Sequence, residues 1–397
     1  MRDAFAVAIC VACTMLPRAA EAGPPRDLLD AAGVRGGLVV HLGCGDGQVT
    51  ASLGAGDSFL VHGIDTASEK VAQARERILA GGNYGPVCVD TFDGERLPYS
   101  DGIVNLLVAE ELGKVSMDEV TRVLAPQGVA LVNRGGTWAK TVKPRPKEID
   151  DWTHYLHDST GNAVADDTVV GPPRRMQWVG SPRWARSHEH SASLNALVSS
   201  GGRIFYIIDE GPRASIQLPS KFVLAARDAF SGVVLWKRPI PEWFNYLFPL
   251  KSGPARLTRR LVAVGDEVYT TLGINEPLSA IDAATGETIR TYQGTKTVEE
   301  LVVSDGLLFL VVNPDRQADD YQQEDAHCWT ERDRASKRWG WDESVDRLMA
   351  VQAGSGKTVW QRETKIVPMS LAADGQRVVF HDGEAVVCIE QGSGKER

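Results

Sequence analysis

The chain has 397 residues, enough for two domains of ordinary size, and its 43% hydrophobic and 24% charged content is that of a folded globular protein. The net charge of −9 lacks the positive footprint that nucleic acid or an anionic membrane surface requires, so neither is an expected partner. The ten tryptophans fall beyond residue 135, where helical periodicity gives way to short strands and Gly-containing turns.

Residues 1–22 read as a signal peptide. Arg2 supplies a positive charge, residues 4–16 are a short apolar run, and Ala20-Glu21-Ala22 has the small-x-small form of a cleavage site. The competing reading is a buried N-terminal helix. The run is too short to span a bilayer, and no later apolar stretch reaches the length of a membrane helix. The expectation is an exported protein, periplasmic or extracellular, with no transmembrane segment after signal removal. Cys44, Cys88, Cys328 and Cys388 then remain, far apart and without a Cys-x-x-Cys pair. That spacing is not a small disulfide scaffold, although one bridge stays open.

From residue 24 the pattern alternates. A short helix is expected over 27–32 and a strand over 38–42, apolar apart from His41. Gly43 to Gly47 make a turn, and a helix opens at Gln48. A second strand, 59–64, ends at Asp65. A helix over 68–80 carries apolar residues at Val71, Ala74, Ile78 and Leu79. Strands follow at 87–89 and 103–108, then a helix over 117–124 and a strand at 129–132. Alternation of this kind specifies a parallel α/β sheet, whose ligands sit at the carboxyl ends of the strands.

Gly43, Gly45 and Gly47 follow the first strand, where glycine lets the backbone turn sharply and approach a ligand. The next helix offers free amides at its start. Asp65, at the end of the second strand, can accept hydrogen bonds from both hydroxyls of a ribose. A tight turn beside a solvated Asp is the alternative.

These motifs resemble those of the class I S-adenosylmethionine-dependent methyltransferases. VVHLGCGDG, residues 39–47, is similar to that family's first motif, and Asp65 to its ribose-binding acid. DGERLPY, residues 93–99, is similar to the stretch whose Asp, here Asp93, contacts the adenine amino group. Residues 101–108 resemble the strand facing the reacting methyl group, and Arg122-Val123-Leu124-x-Pro126-x-Gly128 the late helix–turn–strand signature. The resemblance covers residues 24–134 and implies a Rossmann-like domain. It implies S-adenosyl-L-methionine as cofactor and His41, Gly43, Gly45, Gly47, Asp65 and Asp93 as its binding residues.

Three departures stand out. His41 occupies the place of a carboxylate that helps hold the methionine amino group, and Asn105 the place of an Asp at the end of the fourth motif, so two carboxylate partners for a cationic ligand are lost. The last two strands of the usual sheet are not evident, so 135–150 reads as a Pro- and Lys-containing linker beside an exposed sheet edge. No catalytic residue is singled out by spacing. Asp93, Glu110 and Glu111 are available as bases, but methyl transfer to a nucleophilic acceptor needs alignment more than proton transfer.

Residues 150–158, DDWTHYLHD, hold a His-x-x-His with flanking Asp, and His188-Glu189-His190 follows. No set of three or four ligands is evident, so no metal is expected. A repeat then begins. FVLAARDAFSGVVLW at 222–236, LSAIDAATGETIR at 278–290, LMAVQAGSGKTVW at 348–360 and AVVCIEQGSGK from 385 are each strand, turn, strand. Glycine supplies the turn conformation, and further strand pairs lie between the units. Four strands per unit is a propeller blade. The units resemble the β-propeller repeats of the pyrroloquinoline-quinone-type (quinoprotein-like) family. Trp236 and Trp360 match its tryptophan and Asp228 and Asp282 its Asp, while Arg290, Gln352 and Glu390 depart.

The expected architecture is therefore a signal peptide (1–22), a methyltransferase-like α/β domain (24–134), a linker (135–150) and an all-β, incomplete propeller (151–397). Two functions stay open. One is a methyltransferase carried on a propeller scaffold, with an unknown acceptor. The other is a non-catalytic scaffold with a relic first domain, the propeller binding a protein or glycan-like partner. A quinone-dependent dehydrogenase is a third and weaker reading, since its ring and acid set are not found, and pyrroloquinoline quinone is not an expected cofactor.

Overall fold

The computed structural model describes residues 25–54, 56–169, 171–172, 176–182, 184–186, 193–215, 218–243, 255–314 and 344–397. The expected signal peptide, Cys328 and the 188–190 motif lie outside the described residues.

The first domain runs α1 (Pro25–Ala32), β1 (Gly37–Leu42), α2 (Gln48–Leu53), β2 (Phe59–Asp65), α3 (Ser68–Ala80), β3 (Val87–Thr91), β4 (Val104–Ala109), α4 (Met117–Val123), β5 (Leu124–Arg134) and β6 (Thr137–Val142). They form one sheet in the order β3-β2-β1-β4-β5-β6. β1 to β5 pair in parallel and β6 antiparallel. Strands buried on both faces must be apolar throughout. Val39 of β1 accordingly joins Val61, Leu106, Leu131, Ala74 and Ile78 on one face. Val40 and Leu42 join Ile64, Leu107, Val120 and Val123 on the other.

β6 corrects the expected linker. Gly135 and Gly136 have φ of 62° and 92°, the pair of positive values that a two-residue hairpin with the sheet's own twist requires. Asn133 Oδ1 accepts from the Gly136 amide at 2.8 Å, closing the turn. β6 then pairs along β5 from Val129↔Val142 to Arg134↔Thr137, covering the edge that the sequence left open. Trp138 packs on the core beneath α1, and Lys140 donates to the Ala31 carbonyl at 3.0 Å. A short polar strand with one large apolar residue looks like a linker in sequence, because only pairing with β5 gives it regular structure.

The rest of the described chain is all-β. It forms β7 (Leu194–Ser200), β8 (Arg203–Asp209), β9 (Phe222–Asp228), β10 (Val234–Ile240), β11 (Val262–Val264), β12 (Glu267–Thr271), β13 (Leu278–Asp282), β14 (Thr288–Thr291), β15 (Val298–Ser304), β16 (Leu307–Val312), β17 (Val345–Gln352), β18 (Thr358–Lys365), β19 (Ala372–Ala373), β20 (Arg377–His381) and β21 (Val386–Glu390), with a 3-10 helix, Ala255–Arg260, before β11. These make three four-stranded antiparallel meanders and a last sheet of three strands. Neighbouring sheets share apolar cores: the first with the second through Phe205, Leu224 and Val268, the second with the third through Tyr269, Leu301 and Leu310, and the third with the fourth through Phe309, Leu348 and Phe380. Among the described residues the sheets pack as a row, with no such core joining the fourth sheet to the first.

The repeated tryptophan has a defined task. Trp236 Nε1 donates to Ala283 O at 3.0 Å, in the turn of the next sheet, and Trp360 Nε1 to Gln391 O at 2.8 Å. The turn glycines lie against the indole rings. A Cβ on Gly286 would come within 2.6 Å of Trp236, and one on Gly394 within 2.8 Å of Trp360. At the intervening junction Arg290 Nη1 and Tyr292 OH both donate to Ala353 O, at 2.9 and 2.7 Å, so two side chains replace the indole. Trp178, ahead of β7, meets the first sheet in the same way through Ala229 O at 3.0 Å.

Candidate functional site

The carboxyl ends of β1, β2, β3 and β4 open on a cavity of about 650 Å³. Gly43, Asp65 and Asp93 line it, together with Lys70, Phe92 and the Glu110-Glu111 pair. The glycine loop is folded back on the end of β2: the amides of Gly43 and Cys44 both donate to Ile64 O, at 2.8 and 3.1 Å. Gly43, Gly45 and Gly47 all have positive φ, between 54° and 81°, which explains glycine at each. A Cβ on Gly43 would meet nothing, so its surface is open to a ligand, whereas one on Gly47 would strike Ala74 at 2.7 Å. Gly47 therefore serves the packing of α2 on α3, and Gly43 serves the cavity.

Asp65 is buried at the cavity floor. Its Oδ2 accepts from the Gly45 amide at 3.2 Å and its Oδ1 from the Ala67 amide at 3.0 Å. Each carboxylate oxygen has a second lone pair, which leaves acceptor capacity for hydroxyl groups. Asp93 spends Oδ1 on the amides of Glu95 and Arg96, at 2.8 and 2.9 Å, and these bonds hold its carboxyl below the usual range. The loop carrying Asp93 is fixed from α4: Glu119 accepts from the Leu97 amide, and Arg122 donates to Leu97 O, Tyr99 O and Asp101. Arg122, legible in sequence only as part of a signature, thus positions the stretch beside it.

His41 does not line this cavity. It is 3% exposed, with Nδ1 2.7 Å from Thr50 Oγ1 on α2. Burial holds its pKa down to about 4, against a smaller opposing effect of Asp65, so the ring is neutral near pH 7. Cys44, also buried, has its thiol pushed up to about 11 by burial and by Asp65, which makes it a packing residue and not a nucleophile. Glu110 accepts from Asn133 Nδ2 at 2.7 Å.

Asn105 is at the opposite end of the sheet. It is the second residue of β4, accepts from the Leu38 amide at 2.8 Å and donates to Asp228 Oδ2 at 2.7 Å. Its expected place near the cofactor is corrected: the motif ends at the carboxyl end of β4, four residues further on, and Asn105 faces the first all-β sheet. Ser58 Oγ, donating to Leu235 O at 2.6 Å, and Val233, packed on the first domain's core, belong to the same contact. The all-β region therefore docks on the amino end of the parallel sheet, and none of its described residues lines the cavity. Thr66, Lys70, Phe92, Leu112 and Lys114 also line the cavity. Their signal in sequence was position alone, within a few residues of a strand's carboxyl end.

The His-x-x-His pair is inside the all-β region. His154 Nε2 accepts from the Val303 amide at 3.0 Å, so the proton sits on Nδ1, 2.7 Å from Thr153 Oγ1. His157 Nε2 lies 2.6 Å from Asp150 Oδ2. With both His154 nitrogens engaged, the pair is not arranged to chelate, and no group of three or more His, Cys, Asp or Glu able to hold a metal occurs among the described residues.

Residues 39–128 match the sequence family described as a methyltransferase domain. The chain is similar to the [4+2]-cyclase SpnF, with 26% identity, 27% of this chain and 43% of that one covered, and a TM-score of 0.25. It is similar to the YcgJ protein of Bacillus subtilis, with 21% identity, coverage of 27% and 48%, and a TM-score of 0.25. It is similar to geranyl diphosphate C-methyltransferase of Streptomyces coelicolor A3(2), solved with Mg2+, geranyl diphosphate and S-adenosyl-L-homocysteine, with 19% identity, coverage of 27% and 43%, and a TM-score of 0.26. The chain spans about half the length of these solved structures or less. No curated protein matches it. The N-terminal part is thus a Rossmann-like sheet whose residues 39–128 are similar to the methyltransferase domain family, at the level of a distant superfamily relationship.

Proposed function

We propose that the cavity at the carboxyl ends of β1 to β4 binds S-adenosyl-L-methionine, and that the first domain acts as a methyltransferase on an acceptor entering from the Glu110-Glu111 side. The observation that carries this reading is Asp65, a buried carboxylate tied to the Gly45 amide at the floor of a cavity that Asp93 also lines. The residues fit the cofactor: Gly43 leaves open surface for it, Asp65 has acceptor capacity for ribose hydroxyls, and Asp93 Oδ2 is left for an amino group. When bound, the cofactor supplies an electrophilic methyl group. The protein's own part is to orient it and to present the acceptor, with Glu110 and Glu111 as available bases. His41 adds no charge to this, being neutral and bonded to Thr50.

The test is calorimetric titration of residues 23–397 with S-adenosyl-L-methionine. Binding in the micromolar range, lost in Asp65→Ala but retained in His41→Gln, supports the reading. No heat at high micromolar ligand in wild type sinks it.

A second reading keeps the fold and drops the chemistry: a scaffold whose all-β region, read as quinoprotein-like propeller repeats at 151–397, binds a protein or glycan-like partner. It is favoured by the docking of that region on the far end of the sheet, away from the cavity. Export through residues 1–22 belongs to this reading and would separate the domain from the cytoplasmic cofactor. Fractionation of expressing cells decides it, since retention of the uncleaved chain in the cytoplasm removes its main support.

A further inference from the structure

Residues 152–159 meet the first strand of each of the four all-β sheets among the described residues. The Ser199 amide of β7 donates to Trp152 O at 2.7 Å, and the Ala263 amide of β11 to Thr153 O at 3.0 Å. The Val303 amide of β15 donates to His154 Nε2 at 3.0 Å, and the Ala373 amide of β19 to Ser159 O at 2.8 Å. These four donors are equivalent positions, each second before the tight turn at the end of its strand. Three consecutive residues thus serve three consecutive sheets. Between His154 and Ser159 the segment turns back on itself, with the His154 amide donating to His157 O and His157 in the left-handed region at φ 72°. Thr153 Oγ1 donates to His157 O at 3.2 Å and holds that turn. Ser159 Oγ adds a bond to Ala373 O, and the Trp152 amide one to Ser199 Oγ.

A row of sheets joined only by nearest-neighbour packing is stable as a sum of units and opens from its ends. The segment changes that, because it is covalently continuous and touches all four units. We propose that residues 152–159 are a latch that makes the four sheets one cooperative unit, and that protonation of His154 opens the latch at the third sheet. The second part follows from the geometry: Nε2 is an acceptor from a backbone amide, and a proton there sets two donors against each other. The groups facing His154 are Asp158 and His157 of the latch and Arg259 of the 3-10 helix. Burial above all, with Arg259 and His157, opposes the charged ring, and Asp158 and the Val303 backbone favour it, leaving a pKa of about 4. Arg259 is itself fixed by donation to Met369 O and Leu371 O, on the approach to the fourth sheet.

Amide hydrogen exchange on residues 23–397 tests both parts. At pH 7.5 the amides of Ser199, Ala263, Val303 and Ala373 should share one opening equilibrium. Protection at Ala373 that differs more than ~10-fold from that at Ser199 would show separable sheets and overturn the latch. Between pH 7.5 and 4.5 the opening at Val303, corrected for intrinsic rate, should rise on the order of 50-fold, because the open ring titrates near 6.5 and the latched one near 4. His154→Gln, which can still accept the bond but does not charge, should lose that rise, and its persistence overturns the acid trigger. If His154→Gln fails to fold, Thr153→Val replaces it. Weakening the turn should then speed exchange at all four amides together, and an effect confined to one sheet refutes the latch.

Discussion

Asn105 at the start of β4 and Asp228 in the first repeat turn are joined by a hydrogen bond of 2.7 Å, and through it the two regions of the chain share one polar anchor. Asp228 simultaneously accepts from the Phe230 and Ser231 amides and from Ser231 Oγ. The repeat's Asp shapes its own turn with one oxygen and holds the neighbouring domain with the other.

Replacing Asn105 by Ala leaves the Leu38 amide and one Asp228 oxygen without their partner. A loss of about 1–3 kcal/mol is expected in denaturant unfolding, with ligand binding at the cavity unchanged because the cavity lies at the other end of the sheet. A double-mutant cycle with Asp228→Ala should show a coupling of at least ~0.5 kcal/mol, and strict additivity would deny the contact any energetic role.

Gly47→Val should cost more than Gly43→Ala. At Gly47 a side chain meets both a φ of 81° and the Cβ of Ala74, so a loss of about 2 kcal/mol or more is expected in the thermal unfolding of the first domain. Gly43→Ala carries only the conformational cost of its φ of 78°, about 1 kcal/mol, and should act mainly on ligand binding. Equal destabilisation by the two would contradict the division of roles.

Trp236→Phe removes the donor to Ala283 O and part of the indole over Gly286, so a loss of about 1 kcal/mol or more is expected. Gly286→Ala forces a Cβ to 2.6 Å from Trp236 at a residue with φ 76°, and should exceed it. Tyr292→Phe, at the junction without tryptophan, should cost less than Trp236→Phe because Arg290 still donates to Ala353 O. Melting temperatures of the three variants give the order.

His41 makes the first domain sensitive to acid. Its folded pKa, about 4, lies below the unfolded value of 6.5, so in that interval the unfolded chain binds the extra proton. Its contribution is fully present above pH 6.5 and is lost as pH falls towards 4, by on the order of 3 kcal/mol in total. His41→Gln should flatten that limb in unfolding measured across the interval. An unchanged slope would mean that the ring is already charged in the folded state.

The glycine loop and Asp65 were legible because their chemistry is local. A positive φ after an apolar strand demands glycine, and an acid at the next strand end lies beside it in any sheet of this topology. His41 was legible as a departure, but its role was not: only the packing of α2 on β1 brings Thr50 to its ring. Asn105 was misplaced because a motif fixes which strand a residue is on more firmly than which end. β6 was missed because a polar strand with exposed side chains has no periodic signature until it is paired.

In the all-β region, the hairpin turns and the Trp–Gly spacing could be read directly, since each is settled within one repeat unit. The bond from Trp236 to the next turn could not, because it joins residues 47 positions apart. The latch lay further out of reach. A Trp-Thr-His run carries no sign of the three amides that meet it, nor Ser159 of the fourth, which comes from a strand 214 residues away. Sequence alone determined the local conformations, the parallel α/β order and the repeated hairpins, all short-range consequences of side-chain shape and apolar spacing. The tertiary structure decided which edges are covered, which end of the sheet faces the second region and which histidines are neutral. Those depend on burial and on hydrogen-bond partners supplied by distant parts of the chain.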